Sequence, residues 1–339
     1  MRNVRLSVLL ATVLVACFVV ACGSAPRASD GEGAGGTAGA EAEAVPTGPV
    51  PSFLPQGHKV LARLDMARVR RSPVATDIES AMTATATWQA LAGGSGIRPV
   101  QDLDAMVIAS DAMYSDRRVA VLRYAGTEAD VRERLLRLSV ARSVPLAWSE
   151  VEGFAVSTLP VAMPVSHSVV LTAAHEVVVC PTDDVARVAS IARDHALRRR
   201  GGSPDAILEP QLALAAGEVM TAIVDEPPRG RPGYPAPPTS FRVHAMEDDA
   251  SHHVFLYLHG DFSTEAEAQA ALDWALGSAR QYAGEFLVRG AGLNRPLEAL
   301  TGTRTGTAVD LSTNLTPEEV RRGLGAAALL QMMQSRAAQ

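Results

Sequence analysis

The chain has 339 residues, of which 47% are hydrophobic and 20% are charged, and its formal net charge is −6. A chain of this length and apolar content can bury a core of its own. Its acidic balance excludes a basic nucleic-acid-binding surface of the usual kind, so no nucleic acid is expected as a partner.

The N-terminus has the order of a secretory signal peptide. Residues 2–5 carry two arginines, and residues 6–21 are apolar and uncharged. This run is shorter than the roughly 18–20 residues that a membrane-spanning helix needs, so residues 1–21 are predicted to be a cleaved signal peptide. Cleavage removes Arg2 and Arg5 and no acid, which leaves a net charge of −8.

The sequence Val19-Val20-Ala21-Cys22 resembles the lipobox of bacterial lipoproteins. The resemblance implies that Cys22 becomes the mature N-terminus and carries a diacylglycerol thioether, with its amine commonly acylated as well. Two or more acyl chains anchor a protein stably to a membrane. In that family an aspartate after the cysteine favours the inner membrane, whereas Gly23 and Ser24 stand here, which implies the outer membrane in a cell that has one.

Residues 22–52 are predicted to be the lipidated cysteine followed by a disordered linker. They are mainly Gly, Ala, Ser, Pro, Thr and a few acids, a composition that cannot bury enough apolar surface to offset its ordering entropy. A flexible chain of this length reaches about 30 Å. The segment is therefore expected to hold the domain at a distance from the membrane.

A first folded unit is predicted over residues 53–226, where strands alternate with amphipathic helices. The predicted strands are 58–66, 105–111, 117–125, 153–161, 168–174, 175–180 and 217–226. The predicted helices are 72–82, opened by Ser72 and Pro73, 126–142, capped by Thr127, and 182–199, capped by Thr182.

A proline-rich joint at 227–238 is followed by a second unit, residues 239–339, that repeats the first. Residues 241–276 have the order strand, polar turn, strand, Thr-Glu-Ala and helix, and residues 307–324 parallel 175–189 with a strand, a threonine and paired acids. The two matches occur in the same order, which predicts an internal duplication. The C-terminal helix carries charges and glutamines, which exclude a membrane span, and Val320, Leu324, Ala327 and Leu330 are interpreted as core packing.

Two strand–strand–helix–strand–helix units predict an α+β fold with antiparallel or mixed sheets and helices packed on one face. A doubly wound nucleotide-binding fold is disfavoured, because no series of strand–helix–strand units with glycine-rich turns is present.

Candidate nucleophiles are few. Ser95 lies among glycines but lacks a nucleophile elbow, so a loop is expected there. His175, Glu176 and Cys180 lie in strand sequence, where adjacent residues point to opposite faces and do not converge on one ion. Cys180 is therefore expected to be a buried apolar residue.

Candidate metal ligands are concentrated in the second unit. His244, Asp249, His252 and His253 lie near the turn of one predicted hairpin, where two histidines and an acid could bind a metal ion. His253 and His259 are about 20 Å apart along a strand and cannot share an ion. A solvated outer sheet face is the simpler interpretation, and no metal or cofactor is predicted.

Three functional hypotheses follow. The first is a non-enzymatic envelope lipoprotein that holds a protein partner or acts as a scaffold. The second is a small-ligand or peptide binder that uses the cleft between the duplicated halves, with aromatic residues around Tyr234. The third is an enzyme whose residues converge from separate segments. The sequence contains no convergent acid, base and nucleophile, which favours binding over catalysis.

Overall fold

The computed structural model describes residues 52–55, 57–112, 115–159, 165–173, 175–200, 214–227 and 235–326. The predicted signal peptide, Cys22, most of the linker and Tyr234 lie outside the described residues.

The fold is α+β, as predicted from the sequence. The strands of the described ranges are β1 (Val60–Asp65), β2 (Leu103–Ser110), β3 (Arg118–Tyr124), β4 (Trp148–Val151), β5 (Phe154–Thr158), β6 (His167–Ala173), β7 (Glu176–Pro181), β8 (Glu218–Asp225), β9 (Ser240–Glu247), β10 (Val254–Asp261), β11 (Thr301–Thr305) and β12 (Ala308–Leu315). The helices are α1 (Met66–Val69), α2 (Ala75–Thr83), α3 (Ala86–Ala92), α4 (Pro99–Asp102), α5 (Glu128–Arg142), α6 (Val185–Arg200), α7 (Glu265–Ala283), α8 (Phe286–Gly290), α9 (Asn294–Glu298) and α10 (317–326).

All these strands form one sheet of twelve in the order β11–β12–β10–β9–β8–β1–β2–β3–β7–β6–β5–β4. Each neighbouring pair is antiparallel. The series β1–β2–β3–β7–β6 recurs as β8–β9–β10–β12–β11, and the two series meet where β1 pairs with β8. The strand order therefore carries the repeat that the sequence predicts. Because β8 is the first strand of the second series, as β1 is of the first, the boundary between the two repeats lies before Glu218. The sequence predicted this boundary at the proline-rich joint, residues 227–238.

Local capping signals explain several helix starts. Thr127 and Asp130 form a complete capping box at α5, and Thr264 caps α7. Two predicted starts were wrong. Helix α2 begins at Ala75, because the chain first makes a turn in which the Ala75 N–H donates to the Ser72 carbonyl. Thr182 opens a 3₁₀ turn instead of capping α6, and its hydroxyl is hydrogen-bonded to Ser166 and Ser168.

The face of the sheet that carries Leu64, Met106, Leu122 and Leu256 is called the front face here. These residues belong to one buried cluster, into which α2 and α5 also project. Helix α7 covers the β12 end of the same face, where Ala268 and Leu272 pack on Val309. Most helices therefore lie on one face, as predicted.

Helix α6 departs from this arrangement and lies on the opposite, back face. Val188 and Ala192 pack there against Val107, Val121 and Val178. The reason is that β2, β3 and β7 are apolar on both sides, as runs such as Val177-Val178-Val179 show, and both of their faces must be covered. Phe53 packs on the same face, with its ring centroid 4.8 Å from that of His195.

Candidate functional site

A cavity of about 410 Å³ lies inside the first half of the molecule, between the front face of the sheet and helices α2, α3 and α5. Its lining is almost entirely apolar and comprises Leu64, Met82, Trp88, Leu91, Ala92, Ile97, Asp102, Leu103, Met106, Ile108, Ala120, Leu122, Tyr124, Gly126, Asp130, Val131, Arg134, Leu135, Leu138, Leu159, Val169, Val177 and Val179. Few packed interiors leave voids larger than a water molecule, so this space is a binding-site candidate.

The floor of the cavity consists of alternate residues of adjacent strands. Ala120 of β3 lies opposite Ile108 of β2 on one side and Val179 of β7 on the other. Residues directly opposite each other in an antiparallel pair point to the same face. Because alanine is small, the middle of this floor is open, and the space extends up to α5.

Helix α5 forms the roof. Val131, Leu135 and Leu138 recur at helical spacing and point toward the sheet, and Leu135 and Leu138 are buried. Branched side chains of this size hold the helix away from the floor, so the space beneath it remains unfilled.

Helix α3 forms a side wall with Trp88, Leu91 and Ala92. It is joined to the roof in two places. The Arg142 guanidinium donates to the Gln89 carbonyl at 2.6 Å. The following loop approaches so closely that a Cβ on Gly94, which has φ +90°, would lie 2.7 Å from the Cβ of Ala141. Glycine is needed at this position for both its conformation and its lack of a side chain.

The polar lining groups form one cluster at the solvent-exposed rim. The Arg134 guanidinium contacts Asp102 at 3.0 Å and donates to the Gly96 carbonyl. Asp130 accepts from the Thr127 amide and hydroxyl, and these hydrogen bonds hold the pKa of its carboxyl below the ordinary value. The cavity thus has an apolar interior and a charged edge, which suits a ligand with an apolar tail and a polar head.

Burial affects one further lining group, Tyr124. It is 4% exposed, and desolvation raises the pKa of its phenol above the ordinary value. A neutral phenol acts as a hydrogen-bonding group at neutral pH. The lining residues in the described part of the chain include no Ser, Thr, Cys, Lys or His side chain.

A second concave surface lies on the back face of β9–β12, opposite α7. This open groove of about 410 Å³ is lined by Arg242, His244, Tyr257, Leu258, His259, Thr301, Gly302, Thr303, Asp310, Leu311 and Ser312. His259 contacts Asp310 through Nδ1 at 2.7 Å and Asp261 through Nε2 at 3.3 Å. The hydrogen bond to Asp310 is the main cause that raises the pKa of the His259 imidazole. The His259 ring thus joins a carboxylate of its own strand, Asp261, to the carboxylate of Asp310 on β12.

His244 lies at the margin of the same groove, beside Glu218 and Thr221. The His244 Nδ1 contacts both the Glu218 carboxylate and the Thr221 hydroxyl. Burial opposes ionisation of Glu218, but hydrogen bonds from Thr221 and His244 hold the pKa of its carboxyl below the ordinary value. A nucleophile–base–acid relay needs one partner on each ring nitrogen, so these three groups do not form one.

The structure separates the candidate metal ligands. His252 contacts Glu247 at 3.0 Å, His244 contacts Glu218, and Asp249 pairs with Arg68. No set of three or more His, Cys, Asp or Glu side chains in the described residues is placed to hold a metal ion. His253 lies at the hairpin turn, where its N–H donates to the Ser251 hydroxyl.

The candidate nucleophiles have structural surroundings. Ser95 is fully buried, and its hydroxyl donates to the Ala92 carbonyl and accepts from the Ile97 amide in the loop after α3. Cys180 is fully buried, and burial raises the pKa of its thiol to about 12. His175 is exposed and contacts the Gly126 carbonyl, whereas Glu176 is buried near Arg123. These two side chains diverge, as the sequence predicts.

The cleft expected between the halves is small in the described part of the chain. The space at the β1–β8 junction has a volume of about 60 Å³ and is lined by residues such as Leu64, Met220 and Val320. Ligand pockets typically have volumes of about 300–1,000 Å³. The cavity inside the first half, and not the space at the junction, is therefore the candidate ligand site.

Neither helix α3 nor the cavity was predicted from the sequence. The signal for α3 is the spacing of Trp88, Leu91 and Ala92 before the glycines, which gives one apolar helical face. None of the helices in the described ranges is long and apolar enough to cross a membrane.

No protein-family model matches the chain, and no curated protein does. Two solved structures resemble it weakly. Crystal form I of TP0453 has a TM-score of 0.41 and 11% sequence identity, and the match covers 82% of this chain and 95% of that one. Crystal form IV of TP0453 has a TM-score of 0.38 and 11% identity, covering 80% and 93%.

Proposed function

We propose that this protein is a non-enzymatic lipoprotein of the bacterial cell envelope that binds the acyl chain of an amphiphilic lipid in the cavity beneath α5. The observation that carries the proposal is the volume of about 410 Å³ with an almost wholly apolar lining.

Energetics support a binding role for this space. An apolar space left unfilled forgoes the free energy of packing contacts. An acyl chain that fills the cavity would supply those contacts, because each buried methylene contributes about 0.8 kcal/mol.

The lining also supports a particular orientation. An acyl chain has no hydrogen-bonding groups to satisfy, and the lining of the cavity is almost wholly apolar. The charged cluster of Arg134, Asp102 and Asp130 lies at the rim. We therefore infer that the tail enters the cavity and that the polar head remains at this edge.

The predicted anchor gives this activity a location. A lipidated Cys22 would keep the domain at the envelope membrane, and Gly23 and Ser24 favour the outer membrane. A tethered domain would meet its lipid ligand at high local concentration.

The direct test has two parts. Lipids extracted from the purified full-length protein are identified by mass spectrometry, and binding is measured by displacement of a fluorescent fatty acid. We expect at least one co-purifying acyl lipid and saturable binding. A protein that carries none and does not bind the probe would contradict the proposal.

The anchor is tested separately with Cys22→Ser. This change should move the protein from the membrane fraction to the soluble fraction, because it removes the site of acylation. A variant that stays in the membrane after an alkaline wash would contradict the lipid anchor but leave the cavity unaffected.

A second candidate function, holding a protein partner, is favoured by the uncovered groove on β9–β12. Tyr257 is 43% exposed there, beside His259 and Arg242. Substitution Tyr257→Ala should weaken the capture of envelope proteins by cross-linking in whole cells while lipid binding is kept.

A further inference from the structure

We propose that the outer surface of α5 docks on the surface of a phospholipid bilayer and that the cavity takes up its ligand there. This inference rests on the proposed function, since it identifies the route by which the same cavity is filled. The contact surface, named the α5 patch, consists of Leu136, Val140 and Val144.

The α5 patch is unusually apolar for a solvated helix surface. Leu136 is 56% exposed, Val140 is 72% exposed and Val144 is 46% exposed. Leu136 and Val140 are four residues apart and so lie on one side of α5. Val144 follows the left-handed Ser143 that ends the helix, and its N–H donates back to the Ser139 carbonyl. Contiguous exposed apolar residues of this kind mark a site of protein or membrane contact.

The same helix is apolar on its inner side, where Val131, Leu135 and Leu138 line the cavity. An ordinary surface helix has one apolar stripe and an opposite polar face. Helix α5 instead separates two apolar environments, the cavity within and the α5 patch outside. A lipid that leaves a bilayer beneath the α5 patch would have to pass only the width of this helix.

A cation adjoins the α5 patch. Arg137 follows Leu136 on α5, whereas Arg134 is bound at the cavity rim and Arg142 contacts helix α3. Arg137 is well exposed and pairs with Glu133, one turn back on the helix. A headgroup phosphate could replace that carboxylate, because a guanidinium binds either group in the same bidentate way. Each arginine near an anionic membrane surface adds to the attraction.

An aromatic residue of β4 that contacts Arg132 of α5 also suits the interface. Trp148 is partly exposed, and the Arg132 guanidinium lies 4.3 Å above its ring. Tryptophan is enriched at the level of lipid headgroups. Apolar side chains, arginines and an indole together favour a bilayer over a protein as the occupant.

The predicted anchor allows this contact but does not enforce it. Phe53, where the described core begins, packs on the back face, whereas α5 covers the front face. The predicted linker of residues 23–52 would reach about 30 Å, enough to pass the edge of the sheet. Docking by α5 is thus a second attachment, which an experiment can separate from the anchor.

The orientation is tested in the full-length protein reconstituted into vesicles of zwitterionic and anionic phospholipids. An environment-sensitive fluorophore is attached to Val140→Cys, and quenching by spin-labelled phospholipid is measured. Cys180 is fully buried, and the signal of the unsubstituted protein, labelled in the same way, is subtracted. The matched control is Ser190→Cys on the exposed side of α6, which covers the opposite face of the same strands.

We expect strong quenching at position 140 and little at position 190, since the two labels would differ in height by on the order of 20 Å. Equal quenching at both positions, or none at position 140, would overturn the docking proposal. A label at 140 that is shielded from dissolved iodide but not quenched by the lipid would show a protein occupant, which also overturns it.

A second experiment separates docking from cavity binding. The double variant Leu136→Glu, Val140→Glu should partition on the order of 100-fold more weakly onto the bilayer surface. Uptake of a fluorescent fatty acid from vesicles should then be at least about tenfold slower, while binding of the dissolved probe is unchanged. Unchanged uptake would overturn the docking proposal alone, whereas a wild-type protein that fails to bind dissolved probe would overturn the proposed function.

Discussion

If the cavity binds acyl chains as proposed, substitution Ala120→Phe should shorten the longest chain that fits. Ala120 lies in the middle of the cavity floor, between Ile108 and Val179. A phenyl ring at this position points into the space beneath α5 and takes up roughly the volume of four methylenes. The unfolding free energy should not fall much, because the ring fills existing space instead of displacing packed atoms.

The magnitude follows from the cavity volume. If a methylene occupies about 30 Å³, as a water molecule does in the liquid, the volume of about 410 Å³ accommodates a chain of about 14 carbons. Each methylene contributes about 0.8 kcal/mol, so affinity should rise about fourfold per carbon up to that length and then level off. In Ala120→Phe the plateau should begin near 10 carbons, and a chain of about 14 carbons should bind on the order of 100-fold more weakly.

The assay is displacement of a fluorescent probe by a series of saturated fatty acids below their micelle concentrations. The matched control is Ala129→Phe, which adds the same ring to an exposed position of α5 outside the cavity lining. The control should keep the wild-type plateau. A plateau at the same chain length in both variants, with both folded, would refute the assignment of the cavity as the acyl site.

Two further predictions concern stability. Gly94→Ala should lower the unfolding free energy measured in urea by about 1–3 kcal/mol, because the new Cβ meets Ala141 at 2.7 Å. The control Gly153→Ala reports backbone strain alone, since Gly153 has a similar φ and no atom within 4 Å of the added Cβ. Equal losses in the two variants would contradict the contact with Ala141. His259→Gln should lower the unfolding free energy by less than about 1 kcal/mol, because the ring is partly exposed. Since the hydrogen bond to Asp310 is the main cause that raises the pKa of His259 in the folded state, this loss should be full below about pH 6.5 and should vanish as pH rises through the folded-state pKa. A loss of unfolding free energy that grows toward high pH in urea titrations would be inconsistent with this ion pair.

Local signals in the sequence were sufficient to predict much of this fold. The capping box of Thr127 and Asp130 requires residues three apart only, and α5 begins there as predicted. In β10 the alternation of Leu256 and Tyr257 predicts one buried and one exposed face, and these residues are 6% and 43% exposed. Such patterns are readable because neighbouring residues and a fixed period decide them.

The location of α6 was not predicted, although the sequence contains its signal. The run Val177-Val178-Val179 is apolar at consecutive positions, so both faces of β7 need a cover. The corresponding strand β12 carries Asp310 and Ser312 on its back face and needs none there. In agreement, α10 follows β12 onto the front face, where Val320 and Leu324 join the main core.

The cavity could not be predicted, because it depends on the distance between a helix and strands that are remote in sequence. That distance is set by side-chain size on both partners, and the two halves of the repeat differ in this respect. In the second half, Ala268 of α7 packs on Val309 of β12, and a Cβ on Gly302 of β11 would lie 2.6 Å from the Leu272 side chain. Small residues there let the helix approach the sheet closely. In the first half, Leu135 and Leu138 of α5 stand over Ala120, so the large side chains are on the helix and the floor between them is left open. The same topology therefore yields a packed unit and a hollow one, and exchanging residue size between helix and floor would be the way to convert one into the other.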